Sequence, residues 1–113
     1  MIEDDAQLRR IIAMNLALRG HAVREAADVR QALEALADER PDVLLLDINL
    51  PDGTGWDVLR ASDLPADVRT VVDTAAAVDP RHLAEFRGLT CLPKPFPIDA
   101  LVRLVERHDG AAR

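Results

Sequence analysis

Residues 43–55 read Val43-Leu44-Leu45-Leu46-Asp47-Ile48-Asn49-Leu50-Pro51-Asp52-Gly53-Thr54-Gly55. Four consecutive apolar residues end in one carboxylate, and a segment rich in turn formers follows at once. A short, bounded, wholly apolar run is the pattern of a strand covered on both faces. Such strands build parallel sheets, whose ligand crevice lies outside the carboxyl ends of the strands. Asp47 therefore stands where an open α/β sheet keeps its chemistry.

Working outward from this strand (residues 42–46), the N-terminal half predicts two short strands and two helices. Met1-Ile2 reads as the end of a strand, running into Glu3-Asp4. Leu8, Ile11, Ile12 and Leu16 have helical spacing, with Asp5 as N-cap and Gly20 as the stop. Residues 21–26 form a weak strand. Asp28 then caps a helix whose core face is Val29, Ala32, Leu33 and Leu36, closed by Arg40-Pro41. On the C-terminal side, residues 56–61 read as a helix burying Trp56 and Leu59. Residues 70–74 are a strand ending in a hydroxyl, and residues 80–87 a short helix with Pro80 in its first turn. Residues 89–92 are a further strand, running into Pro93-Lys94-Pro95. Ile98, Leu101, Val102 and Val105 mark a last helix, followed by a polar tail from His108. Strands and helices alternating in this way mean a parallel sheet with helices on both faces.

The chain has 113 residues, 49% hydrophobic and 30% charged, which suits one domain with one core. Its net charge is −6, and its 14 Lys and Arg form no basic run. Direct binding to nucleic acid or to an anionic membrane is therefore not expected. A single cysteine cannot form an internal disulfide, so a reducing cytoplasm is the expected location. No apolar run reaches the length of a membrane span.

In a parallel sheet the loops after the strands lie at one edge. That edge would collect Glu3 and Asp4, Asp47, Thr74 and Lys94. Three carboxylates cannot share a small site in ionised form without a cation, because like charges raise each other's pKa. Hard carboxylate oxygens with room for water suit Mg²⁺. A hydroxyl and an ammonium opposite them suit phosphoryl oxygens. The implied chemistry is attack by an Asp47 oxygen on phosphorus, giving an aspartyl phosphate.

With these residues in place, the chain resembles the receiver domain of bacterial two-component response regulators. The matching residues are Glu3-Asp4, the run from Leu44 through Asp47 to Gly55, Thr74-Ala75, and Lys94-Pro95-Phe96. The resemblance covers nearly the whole chain and keeps five strands in order. It implies a flavodoxin-like, doubly wound sheet of order 2-1-3-4-5, with the first strand truncated. It also implies that Asp47 is the phosphoacceptor, that Asp4 binds Mg²⁺ directly and that Glu3 does so through water. Asn49 would offer its backbone carbonyl to the metal, and Thr74 and Lys94 would hold phosphoryl oxygens. Lys94-Pro95 would be a cis peptide. The phosphoryl donor would be a sensor histidine kinase or a histidine phosphotransfer protein, docking on the first helix. The expectation is a receiver spanning residues 1–113 with no output domain, signalling to another protein by contact. It would not be a turnover enzyme beyond its own phosphorylation and dephosphorylation.

The chain departs from the family pattern at three places. Only Met1 and Ile2 precede the acidic pair, the interval from Thr74 to Lys94 is short, and Cys91 stands where the family usually carries a rotating Tyr or Phe. Two rival readings follow. One is a receiver-like binding module that works without phosphorylation. The other is a haloacid-dehalogenase-like phosphatase, opposed by Asn49, since those enzymes usually carry a second Asp there. Residues outside the motif read blandly: Asp73 as a solvent-facing edge residue, Cys91 as a small buried hydrophobe, Trp56 as packing, and His21, His82 and His108 as surface groups.

Overall fold

The computed structural model describes residues 1–65, 67–75, 78–86 and 88–111, the last helix beyond residue 106 by its backbone alone. Its elements are α1 (Ala6–Leu18), α2 (Val29–Asp38), β1 (Val43–Asp47), β2 (Asn49–Leu50), β3 (Gly53–Thr54), α3 (Gly55–Ser62), β4 (Arg69–Thr74), α4 (Pro80–Glu85), β5 (Leu89–Pro93) and α5 (Ile98–Ala111). The helix caps expected from sequence form. The Asp5 carboxylate accepts from the amides of Gln7 and Leu8, and Asp28 accepts from Gln31. Gly20 adopts φ +89° after α1, a conformation that glycine reaches without a Cβ penalty.

β1, β4 and β5 form a parallel sheet in that order, with Leu45 beside Val71 and Val71 beside Thr90. On the free side of β1, Ile2 makes parallel bridges to both Leu46 and Ala26. The spatial order is therefore the segment at Ala26, then Ile2, β1, β4 and β5, which is the expected 2-1-3-4-5. The two contributions on the free side of β1 are single bridges where strands were expected. Their ladder is nonetheless regular: Ile2 N–H donates to Leu45 O at 2.8 Å, Asp47 N–H to Ile2 O at 2.9 Å, and Glu3 N–H to Ala26 O at 3.0 Å.

Alternation along β1 divides the core. Leu44 and Leu46 face one layer, with Ile2, Ala32 and Val58 beneath α2 and α3. Leu45 faces the other, with Ile12, Leu16, Leu101, Val102 and Val105 of α1 and α5. The sheet is thus covered on both sides, as a wholly apolar central strand requires. A cavity of about 370 Å³ lies beside Ile2, walled by Met1, Leu16, Val23, Leu36, Val43 and Leu45 among others.

Several details differ from the sequence reading. Residues 49–54 fold back as a two-stranded hairpin, Asn49 opposite Thr54. Ile11 lies on the outer face of α1, 48% exposed. In α3 the fully buried partner of Trp56 is Val58, not Leu59. α5 continues to Ala111, past the expected tail at His108, whose side chain is outside the described residues.

Candidate functional site

Parallel register brings the site together. Asp47, the last residue of β1, is level with Asp73 of β4, and Asp73 is level with Leu92 of β5. Glu3 follows the Ile2 bridge at the same edge. Lys94 follows β5, and its amide donates to Thr74 O at 2.9 Å. The Lys94-Pro95 peptide is cis, as expected. Glu3, Asp47, Asp73 and Thr74 are all buried, while Asp4 is exposed.

One ammonium serves three buried carboxylates. Lys94 Nζ lies 2.9 Å from Glu3 Oε1, 3.3 Å from Asp47 Oδ2 and 3.7 Å from Asp73 Oδ2. Asp73 is therefore not a solvent-facing edge residue: β5 covers its strand, and its side chain joins the acidic cluster. A carboxylate inside an otherwise apolar strand was the signal for it in the sequence. Burial raises the Asp47 pKa to about 6, with Glu3 adding to the effect and Lys94 opposing it. Burial raises Asp73 to about 7, again with Glu3 repulsion. For Glu3, burial is outweighed by the Lys94 hydrogen bond and by the Asp5 amide, so its pKa is lowered. For Lys94, burial acts downward, but Glu3, Asp73 and Asp47 outweigh it and raise its pKa.

The backbone after β1 is folded tightly around Asp47. Asn49 N–H donates to Asp47 Oδ1 at 3.2 Å, and Gly55 N–H to Ile48 O at 2.8 Å. A Cβ on Gly55 would sit 2.6 Å from Asp47 O and 2.9 Å from the Leu46 side chain, so only glycine fits. Thr54 and Asp57 then form a capping box that starts α3. Asp52, at the hairpin tip, accepts from the amides of Val29 and Arg30 at 2.7 and 3.1 Å. It thereby ties the loop after β1 to the N-terminus of α2, a link that the sequence reading did not foresee.

Glu3, Asp4 and Asp47 can each offer an oxygen, and these oxygens lie within 4.8 Å of one another. An all-oxygen set of carboxylates with one member open to water fits a hard divalent cation. The excess of carboxylates over the single ammonium gives the cluster a net negative charge for such a cation to balance.

Other singled-out residues fall away from this edge. Cys91 is exposed on β5, not buried as expected, because β5 is the outer strand of the sheet. Trp56 is buried as packing, under the ring of His82. His21 lies 3.6 Å from Glu106, remote from Asp47 in the fold.

The family described as "Response regulator receiver domain" matches residues 1–106. The transcriptional regulatory protein KdpE of Mycobacterium tuberculosis is 44% identical over 117 residues, covering 99% of this chain and 52% of KdpE. The DNA-binding transcriptional regulator NtrC of Escherichia coli is 37% identical over 95% of this chain and 24% of its own length. The chain thus spans about half or less of the curated relatives that it matches. Among solved structures, the chemotaxis response regulator CheY4 of Vibrio cholerae superposes with a TM-score of 0.79 at 27% identity, covering 95% of this chain and 93% of CheY4.

Proposed function

This chain belongs to the response regulator receiver domain family, and on that premise we propose that Asp47 accepts a phosphoryl group from a phosphohistidine. The donor is a sensor histidine kinase or a histidine phosphotransfer protein. An Asp47 Oδ attacks phosphorus, the P–O bond forms as the P–N bond breaks, and the imidazole leaves with a proton. The observation that carries this reading is the Lys94 ammonium, held within 3.3 Å of Asp47 at the ends of three parallel strands.

Receiver domains as a family bind Mg²⁺ at an acidic cluster; here Glu3, Asp4, Asp47 and the Asn49 carbonyl would hold it. Its chemistry is to neutralise the charge of the incoming phosphoryl oxygens. Everything else is done by the chain. Lys94 turns part of its charge from Glu3 to a phosphoryl oxygen, and the Thr74 hydroxyl donates to another. The tight turn at Gly55 fixes the direction of Asp47, so that little orientation is lost on reaction. The domain catalyses nothing beyond its own phosphorylation and hydrolysis. It works in the cytoplasm, and its signal leaves by contact with another protein.

Intact-mass spectrometry after incubation with acetyl phosphate and Mg²⁺ tests the reading. The wild type should gain one phosphoryl group, and Asp47→Asn should gain none. Equal labelling of both would sink the assignment.

A further inference from the structure

Past Asp47 the chain folds into a hairpin that is fastened to a distant element. Asn49 pairs with Thr54 and Leu50 with Gly53, which leaves Pro51 and Asp52 as the turn. From that turn the Asp52 carboxylate reaches the start of α2. Its Oδ1 accepts from the Val29 amide at 2.7 Å, and its Oδ2 from the Arg30 amide at 3.1 Å. The Val29 amide holds the Asp52 carboxyl below its usual range, so the group is an anion at neutral pH. Amides in the first turn of a helix have no partner within it and favour negative charge.

α2 does not need this carboxylate as a cap. Asp28 already accepts from the Gln31 amide at 2.8 Å, and Gln31 Oε1 accepts in return from the Ala27 amide at 2.9 Å. A second carboxylate beside Asp28 adds like-charge repulsion, so helix initiation does not account for the contact.

What the contact closes is a ring of bonds around the acidic edge. α2 is a firm anchor, with Ala32 fully buried and Val29, Leu33 and Leu36 packed on the core. Its start runs back through Ala27 to Ala26, whose carbonyl accepts from the Glu3 amide at 3.0 Å. The carbonyl of Ile2, the residue before Glu3, accepts from the Asp47 amide at 2.9 Å. Asp47 leads back to the hairpin, where the Asn49 amide donates to Asp47 Oδ1. Glu3 and Asp4 thus stand on one arc of the ring, and Asp47 and Asn49 on the other. Past Ile2 and Asp47 the two arcs part, one running into α1 and the other into the hairpin. Asp52 rejoins them through α2.

We infer that Asp52 is a positioning residue, which fixes the spacing between the Glu3-Asp4 pair and the Asp47–Asn49 segment and so tunes the cation site to Mg²⁺ over Ca²⁺. The inference rests on the reading of those residues as a cation site. Mg²⁺ requires short bonds in a near-octahedral set, whereas Ca²⁺ accepts longer and more varied ones. Cutting the ring at Asp52 lets the hairpin drift, which costs the demanding ion more than the tolerant one. No hole is left in the core, because Asp52 lies at the surface.

The test uses the full chain. Mg²⁺ and Ca²⁺ affinities are measured by titration calorimetry for wild type, Asp52→Ala, Asp52→Asn and Leu36→Ala, and amide exchange at Asn49 is followed in metal-free protein. Leu36→Ala loosens the far end of α2 and leaves the ring whole. Asp52→Ala should lose about tenfold in Mg²⁺ affinity but only about twofold in Ca²⁺ affinity. Asp52→Asn keeps one acceptor oxygen and should fall between Asp52→Ala and wild type. The Asn49 amide should exchange several-fold faster in Asp52→Ala. Leu36→Ala should lower Tm while keeping the wild-type ratio of the two affinities. Equal losses for both ions in Asp52→Ala would mean that only a nearby charge had gone, and would overturn the positioning role. A changed ratio in Leu36→Ala would do the same, since general loosening would then suffice. Unchanged affinities or unchanged Asn49 exchange in Asp52→Ala would overturn it while leaving the cation site standing. A wild type that binds neither ion would overturn both.

Discussion

Lys94 Nζ lies 2.9 Å from Oε1 of Glu3, closer than to either aspartate of the cluster. Its strongest partner is thus a fully buried carboxylate that is not itself the proposed nucleophile. Glu3 fixes where the ammonium waits, and Asp47 and Asp73 are left with a share of one charge. Burial, with Glu3 repulsion that this share only partly offsets, therefore keeps both protonated to unusually high pH.

This has a consequence for stability against pH. Asp47 is raised to about 6 and Asp73 to about 7, both above the value of an unfolded aspartate. Between pH 4 and 7 the folded protein therefore binds more protons than the unfolded chain, and stability falls as pH rises through that window. The lowered Glu3 acts in the opposite sense at the acid end, and the Met1 ammonium, lowered to about 6, does so between about pH 6 and 8, where it offsets part of the fall. Thermal melts of metal-free protein should show Tm falling by several degrees from pH 5 to 7.5, on the order of 1–3 kcal/mol. Saturating Mg²⁺ should flatten the dependence, because the cation takes the place of the protons. Asp73→Asn should remove much of the slope and raise Tm at pH 7.5. A metal-free Tm that rises across this range would contradict the shared-charge account.

Metal affinity should depend on Asp4 more than on Glu3. Glu3 is buried and already engaged by Lys94 and by the Asp5 amide, whereas Asp4 is exposed. Isothermal titration of Mg²⁺ should show at least a tenfold loss for Asp4→Ala. Glu3→Gln keeps the shape of the side chain and should lose less, while lowering Tm because Lys94 loses its closest anion. Equal affinity in both variants and wild type would remove the proposed site.

Gly55→Ala should be strongly destabilising for a reason local to Asp47. The added methyl would meet the Asp47 carbonyl oxygen at 2.6 Å, a backbone atom that cannot rotate away. Overpacking of this kind costs about 1–3 kcal/mol, so Tm should drop by roughly 5–15 °C. The phosphorylation rate with acetyl phosphate should fall too, since any relief of the clash moves Asp47. An unchanged Tm would mean that the turn has slack that the geometry does not show.

The sequence was legible where one physical signal dominated. An unbroken apolar run ending in Asp47 fixed the central strand, and Asp5 and Asp28 announced their helices because a carboxylate before an apolar stripe has few other uses. Thr74 and Lys94 could be placed at the same edge from topology alone. Asp73 and Cys91 were misread for one common reason. Whether a strand residue is buried depends on which strand lies beside it and on which side, and periodicity along a single strand does not say. Asp73 gained β5 as a cover, while Cys91 lies on the outer strand. The Asp52 tie to α2 and the stack on Trp56 join segments that lie far apart in the chain, which local patterning cannot reach.

The cavity beside Ile2 gives the last expectation. Met1 N donates to Arg24 O at 2.7 Å, and Ala26 N–H to Met1 O at 2.8 Å, so the ladder is still in register at the terminal nitrogen. Asp42 O accepts from Arg69 on the β4 side. By alternation, Val43 and Leu45 present their backbone groups to the other side, towards the cavity of about 370 Å³. That space is bounded by β1 on one side, by residues 22–24 on the other, and by Leu16, Val105, Ala32 and Leu36 above and below, which is the setting of a strand apolar on both faces. Burial there already pushes the Met1 ammonium down to about 6, so an amide suits the position better than a charge. Adding Val-Ile-Val before Met1 should therefore extend the ladder to Val43 and Leu45 and fill the space. A fully buried Val or Ile side chain contributes about 1.5–3 kcal/mol, so Tm should rise by roughly 5–10 °C. The Leu45 amide should also exchange more slowly. A Gly-Ser-Gly extension of the same length offers backbone without apolar side chains and should give little of the gain in Tm. If Val-Ile-Val left Tm and Leu45 exchange unchanged, the cavity would not be a place for a strand, and the core would close without one.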